Sequence, residues 1–283
     1  MALAFVDDPG DPRIEGYLDV REKDLARAPR GGLFVLEGEN VLRVLVALAA
    51  EGRPGEAPGA PLQSLYRPRS VLVSESRAAA RRELLARVPD DIPVFVASQA
   101  VLDRIVGFHL HRGVLALAER GEPRDANALL ARSEARATVV VAVGITNHDN
   151  MGGIFRNAAA LGANAVLLDA TSCDPLYRKA VRVSVGGALV VPFARAPLAT
   201  LVDGLAAQGF DVVALSPRGA VEVSDLRLGP RRALVLGTEG EGLPEAWLER
   251  LRTARIDQEP SFDSLNVAVA CGIALHALRR GVG

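Results

Sequence analysis

From Thr138 onward, near-continuous apolar runs alternate with stretches whose apolar residues recur at helical spacing. TVVVAVGI, AVLL (ending at Asp169), ALVVPF, DVVALS and RALVLG (Arg232 to Gly237) read as strands, with IFRNAAALG and LATLVDGLAAQG as helices between them. Buried strands alternating with helices predict a parallel sheet covered on both faces, and such sheets gather ligands at the carboxyl ends of their strands. The last apolar run, Val267 to Leu278, is long and rich in small residues, which predicts a helix buried on most faces. Ser264, Leu265 and Asn266 stand where that helix begins, as an N-cap or as groups presented to a ligand.

The first part of the chain has its own pattern. Leu33 to Gly52 begins as a short strand, turns at Glu37–Gly38 and continues as a helix marked by Val41, Leu42, Leu45 and Leu48. SVLVS (Ser70 to Ser74) reads as a strand, SRAAARRELLARV as a helix and PVFVA (Pro93 to Ala97) as a strand. SQAVLDRIVG is a helix capped by Ser98, and GVLALAER (Gly113 to Arg120) is a further strand. This alternation describes a small α/β domain. Asp11 to Gly31, charged with both signs, reads as a solvated helix with intrahelical ion pairs, and Arg53 to Pro61 as a Gly/Pro-rich loop. The expected division is a domain over 1–120, a mixed-charge connector over 121–137 and a second domain over 138–283.

Composition narrows the classes. At 283 residues, 49% hydrophobic and 24% charged, the chain has the make-up of an ordinary globular protein. Aromatic residues amount to 4%, too few for a site built on stacked rings. The net charge of −1 does not by itself announce a nucleic-acid partner. Cys173 and Cys271 lack metal-ligand spacing, and with no leader-like start they fit a reducing cytoplasm. No run reaches the ~20 apolar residues of a membrane span.

Three polar loops at strand ends carry the candidate chemistry. The first runs from Asn147 to Asn157, with Asn150 and Arg156 six apart, a spacing expected to bring both toward one site. Arg156 is flanked by Ile154, Phe155, Ala158 and Ala159, a setting in which a guanidinium needs an anionic or carbonyl partner. The second is Leu236 to Trp247, where glycines follow a buried strand and permit close approach to a ligand, with Glu239 inside the loop. No Gly-Lys-Ser/Thr follows, and Pro244 interrupts a dinucleotide pattern. The third is Ser264–Leu265–Asn266.

In this order the three loops resemble the SpoU (TrmH-like) family of AdoMet-dependent RNA ribose methyltransferases, within the SPOUT superfamily. The resemblance covers roughly Thr138 to Gly281 and rests on Asn150, Gly153, Arg156, Ala159 and Gly162, then Gly237, Glu239, Gly240, Gly242 and Leu243, then Ser264, Leu265, Asn266 and Val267. Tyr177 to Gly186 looks like the family's linking stretch. Ile256–Asp257–Gln258–Glu259–Pro260 departs from an Ile-Pro-Met-like run common in the family. The resemblance implies an α/β fold with a C-terminal trefoil-knotted parallel sheet, paired with a second copy as a homodimer through the helix near Val267. It implies S-adenosyl-L-methionine in a pocket of Leu215, Ser216, Leu236, Gly237, Thr238, Glu239, Gly240, Gly242, Ile256, Leu265 and Asn266. It also implies a catalytic set of Arg156, Asn150, Glu239, Ser264 and Asn266 acting on a ribose 2′-hydroxyl, with no metal. Because a free guanidinium holds its proton, the expected role of Arg156 is to bind phosphate and polarise the hydroxyl.

FVLEGENVL and Gly107 to Ala116 look like the smaller ribosomal-protein-like α/β domain that many such enzymes carry for RNA binding. His109 and His111, two apart with no acidic or thiol partner, fit a loop or RNA surface better than a metal site. Arg178, Lys179 and Arg182 form the best local phosphate patch, and each is equally readable as a solvated charge. Ribosomal RNA is expected ahead of transfer RNA. Alternatives are a non-catalytic RNA-binding protein on the same fold, a SPOUT base-nitrogen methyltransferase, or a nucleotide-dependent enzyme using the loop at Gly240.

Overall fold

The computed structural model describes residues 3–18, 32–51, 66–106, 113–238, 240–259, 261 and 264–280. It divides into two compact units, Met1–Glu122 with Leu176–Val190, and Pro123–Pro175 with Val191–Gly283.

The first unit is built on a five-stranded sheet of β1 (Leu3–Val6), β2 (Leu33–Glu37), β3 (Tyr66–Ser74), β4 (Val94–Ala97) and β5 (Val114–Arg120) in the order β1-β4-β3-β5-β2. β1, β4 and β3 run parallel, and β5 is antiparallel to both β3 and β2. One face packs Ile14, Tyr17, Leu72, Phe95, Leu102 and Leu115 into a core. α1 (Glu39–Glu51) buries Val41, Leu42 and Leu45, the residues its spacing selects. Each full burial of a leucine contributes about 1.5–3 kcal/mol. The helix expected after β3 is broken at Arg81, whose φ of −124° separates α2 (Glu75–Ala80) from α3 (Arg82–Leu85). Of the expected charged helix, only a 3-10 turn over Pro12–Tyr17 lies within the described residues. α4 (Gln99–Val106) follows the Ser98 cap, whose hydroxyl accepts from Val101 N.

The second unit is an α/β layer structure around a seven-stranded sheet. Its strands are β6 (Ala137–Ala142), β7 (Ala165–Leu168), β8 (Phe193–Arg195), β9 (Asp211–Leu215), β10 (Val221–Glu222), β11 (Arg231–Leu236) and β12 (Arg252–Arg255), ordered β10-β12-β9-β11-β6-β7-β8. Every pairing is parallel. Successive residues of a strand face opposite sides, and in β6 and β11 both sets are buried. Val139, Val141, Ala233 and Val235 meet α5 (Ala126–Ala131) and α9 (Leu198–Ala207) in one core cluster, with Leu248 of α10 (Glu245–Arg250) packed against it, while Val140, Ala142, Leu234 and Leu236 are equally sealed. That two-sided burial is why these strands read as unbroken apolar runs.

Three readings of the sequence change here. The run ALVVPF is not one strand: Gly187–Val190 is helical (α8), the Ser184 hydroxyl accepts from Ala188 N, and the strand is Phe193–Arg195. A short apolar run cannot tell a buried helix turn from a buried strand. The connector contains α5, capped by Asp125, whose Ala126 and Leu130 belong to the second unit's core. Residues Leu176–Val190, assigned to the second domain by pattern, group with the first unit. There α7 (Arg178–Val183) places Arg182 2.9 Å and Arg178 3.1 Å from the buried Glu37 carboxylate.

Candidate active site

Strand ends of the second unit and the start of α11 (Val267–Arg280) line a single cavity of about 220 Å³. Leu215, Ser216 and Pro217 follow β9, and Ile256 and Gln258 follow β12. Leu236, Gly237, Thr238, Gly240 and Gly242 come from the loop after β11, and Ser264, Leu265, Asn266, Val267 and Ala270 from the entry to α11. Of the pocket residues expected from sequence, all but Glu239 line it, and Glu239 lies outside the described residues. Pro217, Gln258, Val267 and Ala270 were missed. Pro217 adjoins Ser216, Gln258 stands two residues beyond Ile256, and Val267 and Ala270 sit one turn apart on the helix that follows Asn266.

The loop after β11 is closed on itself. Thr238 N and Oγ1 both donate to Gly242 O, at 3.3 and 3.1 Å, and Gly240 and Gly242 take φ values of +91° and +72°. At Gly237 a Cβ would lie 2.5 Å from both Gly242 C and Leu243 N. Those are backbone atoms, so this close approach admits no side chain. Behind the loop, Gly144 N donates to the buried Asp169 carboxylate at 3.0 Å, and a Cβ on Gly144 would strike the Thr238 methyl at 2.4 Å. Burial acts to raise the Asp169 carboxyl, but bonds from Ser172, Thr171 and Gly144 outweigh it and leave its pKa below the usual value.

α6 (His148–Leu161) carries the first motif and packs on α11. Asn147 caps it, with Oδ1 accepting from Asp149 N at 2.8 Å. Asn150, Gly153 and Asn157 share one face of α6, and each meets α11 or the residues leading into it. Asn266 Nδ2 donates to the buried Asn150 Oδ1 at 2.8 Å. Asn157 Nδ2 donates to Ala268 O at 2.6 Å. A Cβ on Gly153 would approach Ala268 Cβ to 2.6 Å. Asn266 also caps α11, its Oδ1 accepting from Ala268 N at 3.0 Å and Val269 N at 3.2 Å. The cap and the polar-contact readings of Asn266 therefore both hold: one amide oxygen ends the helix and the amide nitrogen ties it to the first motif. Asn157 was not singled out from sequence, though its i+4 offset from Gly153 gives the signal.

Arg156 is placed differently from expectation. Both it and Asn150 lie inside α6, and six residues turn a helix through about 600°, leaving them roughly 120° apart. Asn150 faces α11, whereas Arg156 is exposed and does not line the cavity. The apolar neighbours in sequence, Ile154, Phe155 and Ala158, turn inward, and Phe155 packs edge-on against Phe193 at 5.7 Å. Among the described residues no carboxylate pairs with Arg156. Ser264 is exposed at the cavity's edge. Two of the three cations expected as a phosphate patch, Arg178 and Arg182, are engaged by Glu37. His109 and His111 lie outside the described residues.

The cavity's chemistry is apolar and amide-rich. Among the described residues no charged side chain lines it, and Asn266 already occupies two of the first amides of α11, so the helix terminus is not an open phosphate cradle. Both features disfavour a nucleotide-phosphate cofactor.

Residues 137–276 match the SpoU rRNA Methylase family. An uncharacterised tRNA/rRNA methyltransferase of Mycobacterium bovis is 38% identical over 280 residues, covering 96% of this chain and 90% of that protein. A 23S rRNA (guanosine-2′-O-)-methyltransferase of Coxiella burnetii is 34% identical over 178 residues, or 60% of this chain and 70% of that one. A crystal structure of an RNA 2′-O ribose methyltransferase superposes with a TM-score of 0.74 at 26% identity, covering 98% of each chain. With its second and third motif loops lining one cavity and the first tied to them through the Asn150–Asn266 bond, the chain belongs to the SpoU family of RNA methyltransferases.

Proposed function

We propose that this protein transfers a methyl group from S-adenosylmethionine to a ribose 2′-hydroxyl of structured RNA, ribosomal RNA ahead of transfer RNA. The observation that carries the reading is the cavity after β9, β11 and β12, built from the motif loops and free of charged lining among the described residues. Such a surface suits a nucleoside joined to a sulfonium and suits phosphates poorly. An RNA 2′-O ribose methyltransferase that shares the fold across 98% of its chain supports the ribose as target.

When bound, the cofactor supplies an electrophilic methyl group. The chain's part is to position. Leu215, Leu236, Ile256 and Leu265 exclude water, and the closed loop over Thr238–Gly242 offers backbone groups. The Asn150–Asn266 bond fixes the cavity mouth against α6. Arg156, exposed on α6 outside the cavity, serves to grip an RNA phosphate, and Ser264 at the cavity's edge serves with Glu239 to orient the ribose. With the cofactor bound, the 2′-oxygen would take the methyl group as its S–C bond breaks, leaving a neutral thioether, and the hydroxyl proton would pass to solvent or the RNA phosphate.

A homodimer belongs to this reading. Val269 and Ile273, one turn apart on α11, are 51% and 40% exposed and form an apolar stripe that a second copy would cover. The trefoil knot and a cytoplasmic site of action come with the same family reading. Among the described residues no helix is long and apolar enough to cross a membrane. The test is transfer of tritiated methyl to ribosomal RNA followed by nucleoside analysis. 2′-O-methylated nucleoside is the expected product. Label on a base nitrogen, or binding without transfer, overturns the proposal.

A further inference from the structure

A second cavity, of about 410 Å³, opens at the other end of the same sheet and is lined by Arg136, Thr138, Asn164, Arg232 and Arg279. Arg232 stands at the start of β11, four residues before Leu236, so some 13 Å of strand separates this cavity from the active-site one. The residue as a whole keeps only 6% relative exposure. Nε donates to the Thr138 hydroxyl at 3.0 Å, and among the described residues no carboxylate pairs with the guanidinium. Among the described residues, sealed side-chain atoms that lack a hydrogen-bond partner include Glu222 Oε2 and Arg231 Nε. The Arg232 Nη groups are not among them, so their unbonded N–H donors open onto the cavity.

A guanidinium held partly out of water without a counter-charge is unfavourable and calls for something to compensate it. Here the neighbours make matters worse, since Arg136 and Arg279 add two more guanidiniums. Burial first, then the Arg136 charge, pulls the Arg232 pKa below the usual arginine value. The one acid in the lining, Glu134, is exposed at the rim and makes no ion pair among the described residues. Thr138 holds Nε, which leaves the planar Nη edge for a bidentate acceptor.

The geometry points to a phosphate-binding site here, with Arg232 as its floor and Arg136 and Arg279 as its rim. The phosphate comes either from the backbone of bound RNA or from a free phosphate. The RNA source rests on the methyltransferase reading; the free source does not.

Arg232→Met tests the floor, because a methionine fills similar volume without the charge. In phosphate-free buffer the variant should melt at or above the wild-type temperature. Inorganic phosphate, added against chloride at constant ionic strength, should raise the wild-type Tm and bind at least about tenfold more weakly to Arg232→Met. An Arg136→Ala/Arg279→Ala double variant, altered only at exposed positions, should lose the same response and guards against misfolding of the buried variant. S-adenosylmethionine binding measured by calorimetry should be unchanged in both, which separates failure here from failure of the active-site reading.

Ribosomal RNA binding identifies the source. If RNA supplies the phosphate, the double variant lowers affinity and reduces the slope of log K against log salt by about two. If a free phosphate supplies it, RNA binding is unchanged and phosphate binds the RNA complex as well as the free protein. Equal Tm responses in wild type and both variants, or no response of the wild type to phosphate together with unaltered RNA binding by the variants, would overturn the site.

Discussion

Gly153→Ala is the substitution whose effect follows most directly from the geometry. The new Cβ would stand 2.6 Å from Ala268 Cβ, whereas carbon atoms settle at about 3.5–4.0 Å. Ala268 cannot step aside, since its N–H is held by Asn266 Oδ1 and its carbonyl by Asn157 Nδ2. α6 and α11 must therefore part by about 1 Å, which stretches the 2.8 Å Asn150–Asn266 bond toward breaking. Overpacking of this kind costs about 1–3 kcal/mol, and alanine in place of glycine inside a helix returns about 1 kcal/mol. The net loss expected is about 0–2 kcal/mol. Ala268→Gly alone should cost about 0.5–1 kcal/mol. Combined, the two should nearly cancel, so a double-mutant cycle isolates the clash as a favourable coupling of about 1–3 kcal/mol. Urea unfolding followed through Trp247, the chain's one tryptophan, reports on the second unit, and methyl transfer should fall with Gly153→Ala and return in the double variant. Additivity within about 0.5 kcal/mol would refute the close approach. Full methyl transfer by a destabilised Gly153→Ala would refute the claim that this helix contact sets the cavity mouth.

Other outcomes follow from single features. Gly237→Ala should abolish the calorimetric signal for S-adenosylmethionine while leaving the far-UV circular dichroism intact, because its Cβ would meet loop backbone at 2.5 Å; near-normal binding would show that the loop opens freely. Asn266→Asp keeps a helix cap but sets a carboxylate against Asn150 Oδ1, and should cost about 1–3 kcal/mol in chemical unfolding; a neutral result would mean the amide nitrogen contributes nothing. Glu37→Gln should speed tryptic cleavage after Arg178 and Arg182, since both lose their buried counter-charge; unchanged cleavage would make the pair incidental. Burial pushes the Cys271 thiol from 9.0 up to about 12. Above pH 9 the unfolded thiol ionises while the folded one keeps its proton, so the native state binds more protons and stability should fall between pH 9 and about 12. Cys271→Ala should flatten that part of the curve, and an unchanged slope would assign it to other groups.

What could be read from the chain, and what could not, divides along one physical line. β6 and β11 were legible because burial on both faces demands an unbroken apolar run, and glycine-rich loops at their ends showed where backbone must come close. β10 and β12 were not, since VE at the sheet edge and RTAR beside it have little apolar character and owe their strand form to β10 pairing with β12 and β12 with β9. The same logic explains ALVVPF: hydrophobicity was right, but Ser184 and the left-handed pair Val185 and Gly186 started a helical turn that no apolar count reveals. The pocket residues came from the family resemblance, and the structure sets them after β9, β11 and β12 and at the entry to α11. Arg156 is exposed although Ile154, Phe155 and Ala158 beside it are buried, because a helix turns neighbouring residues to different sides.

Arg232 shows where local pattern misleads most. In RRALVLG it looks like a surface residue preceding a buried strand, and nothing in composition marks it out. Register decides otherwise. Arg232 pairs across from Thr138 in β6 and Asp211 in β9, so it enters the sheet with strands on both sides and lines the cavity at that end. One strand thus carries opposite solutions at its two ends: an uncharged, amide-lined mouth at Leu236 and a buried, unpaired cation at Arg232. An apolar residue at 232 would stabilise the sheet by removing that charge, so its retention is reasonable only if an anion compensates it. Wild type melting higher than Arg232→Met in buffer free of phosphate and RNA would remove that reasoning, because the guanidinium would then be stabilising the empty protein.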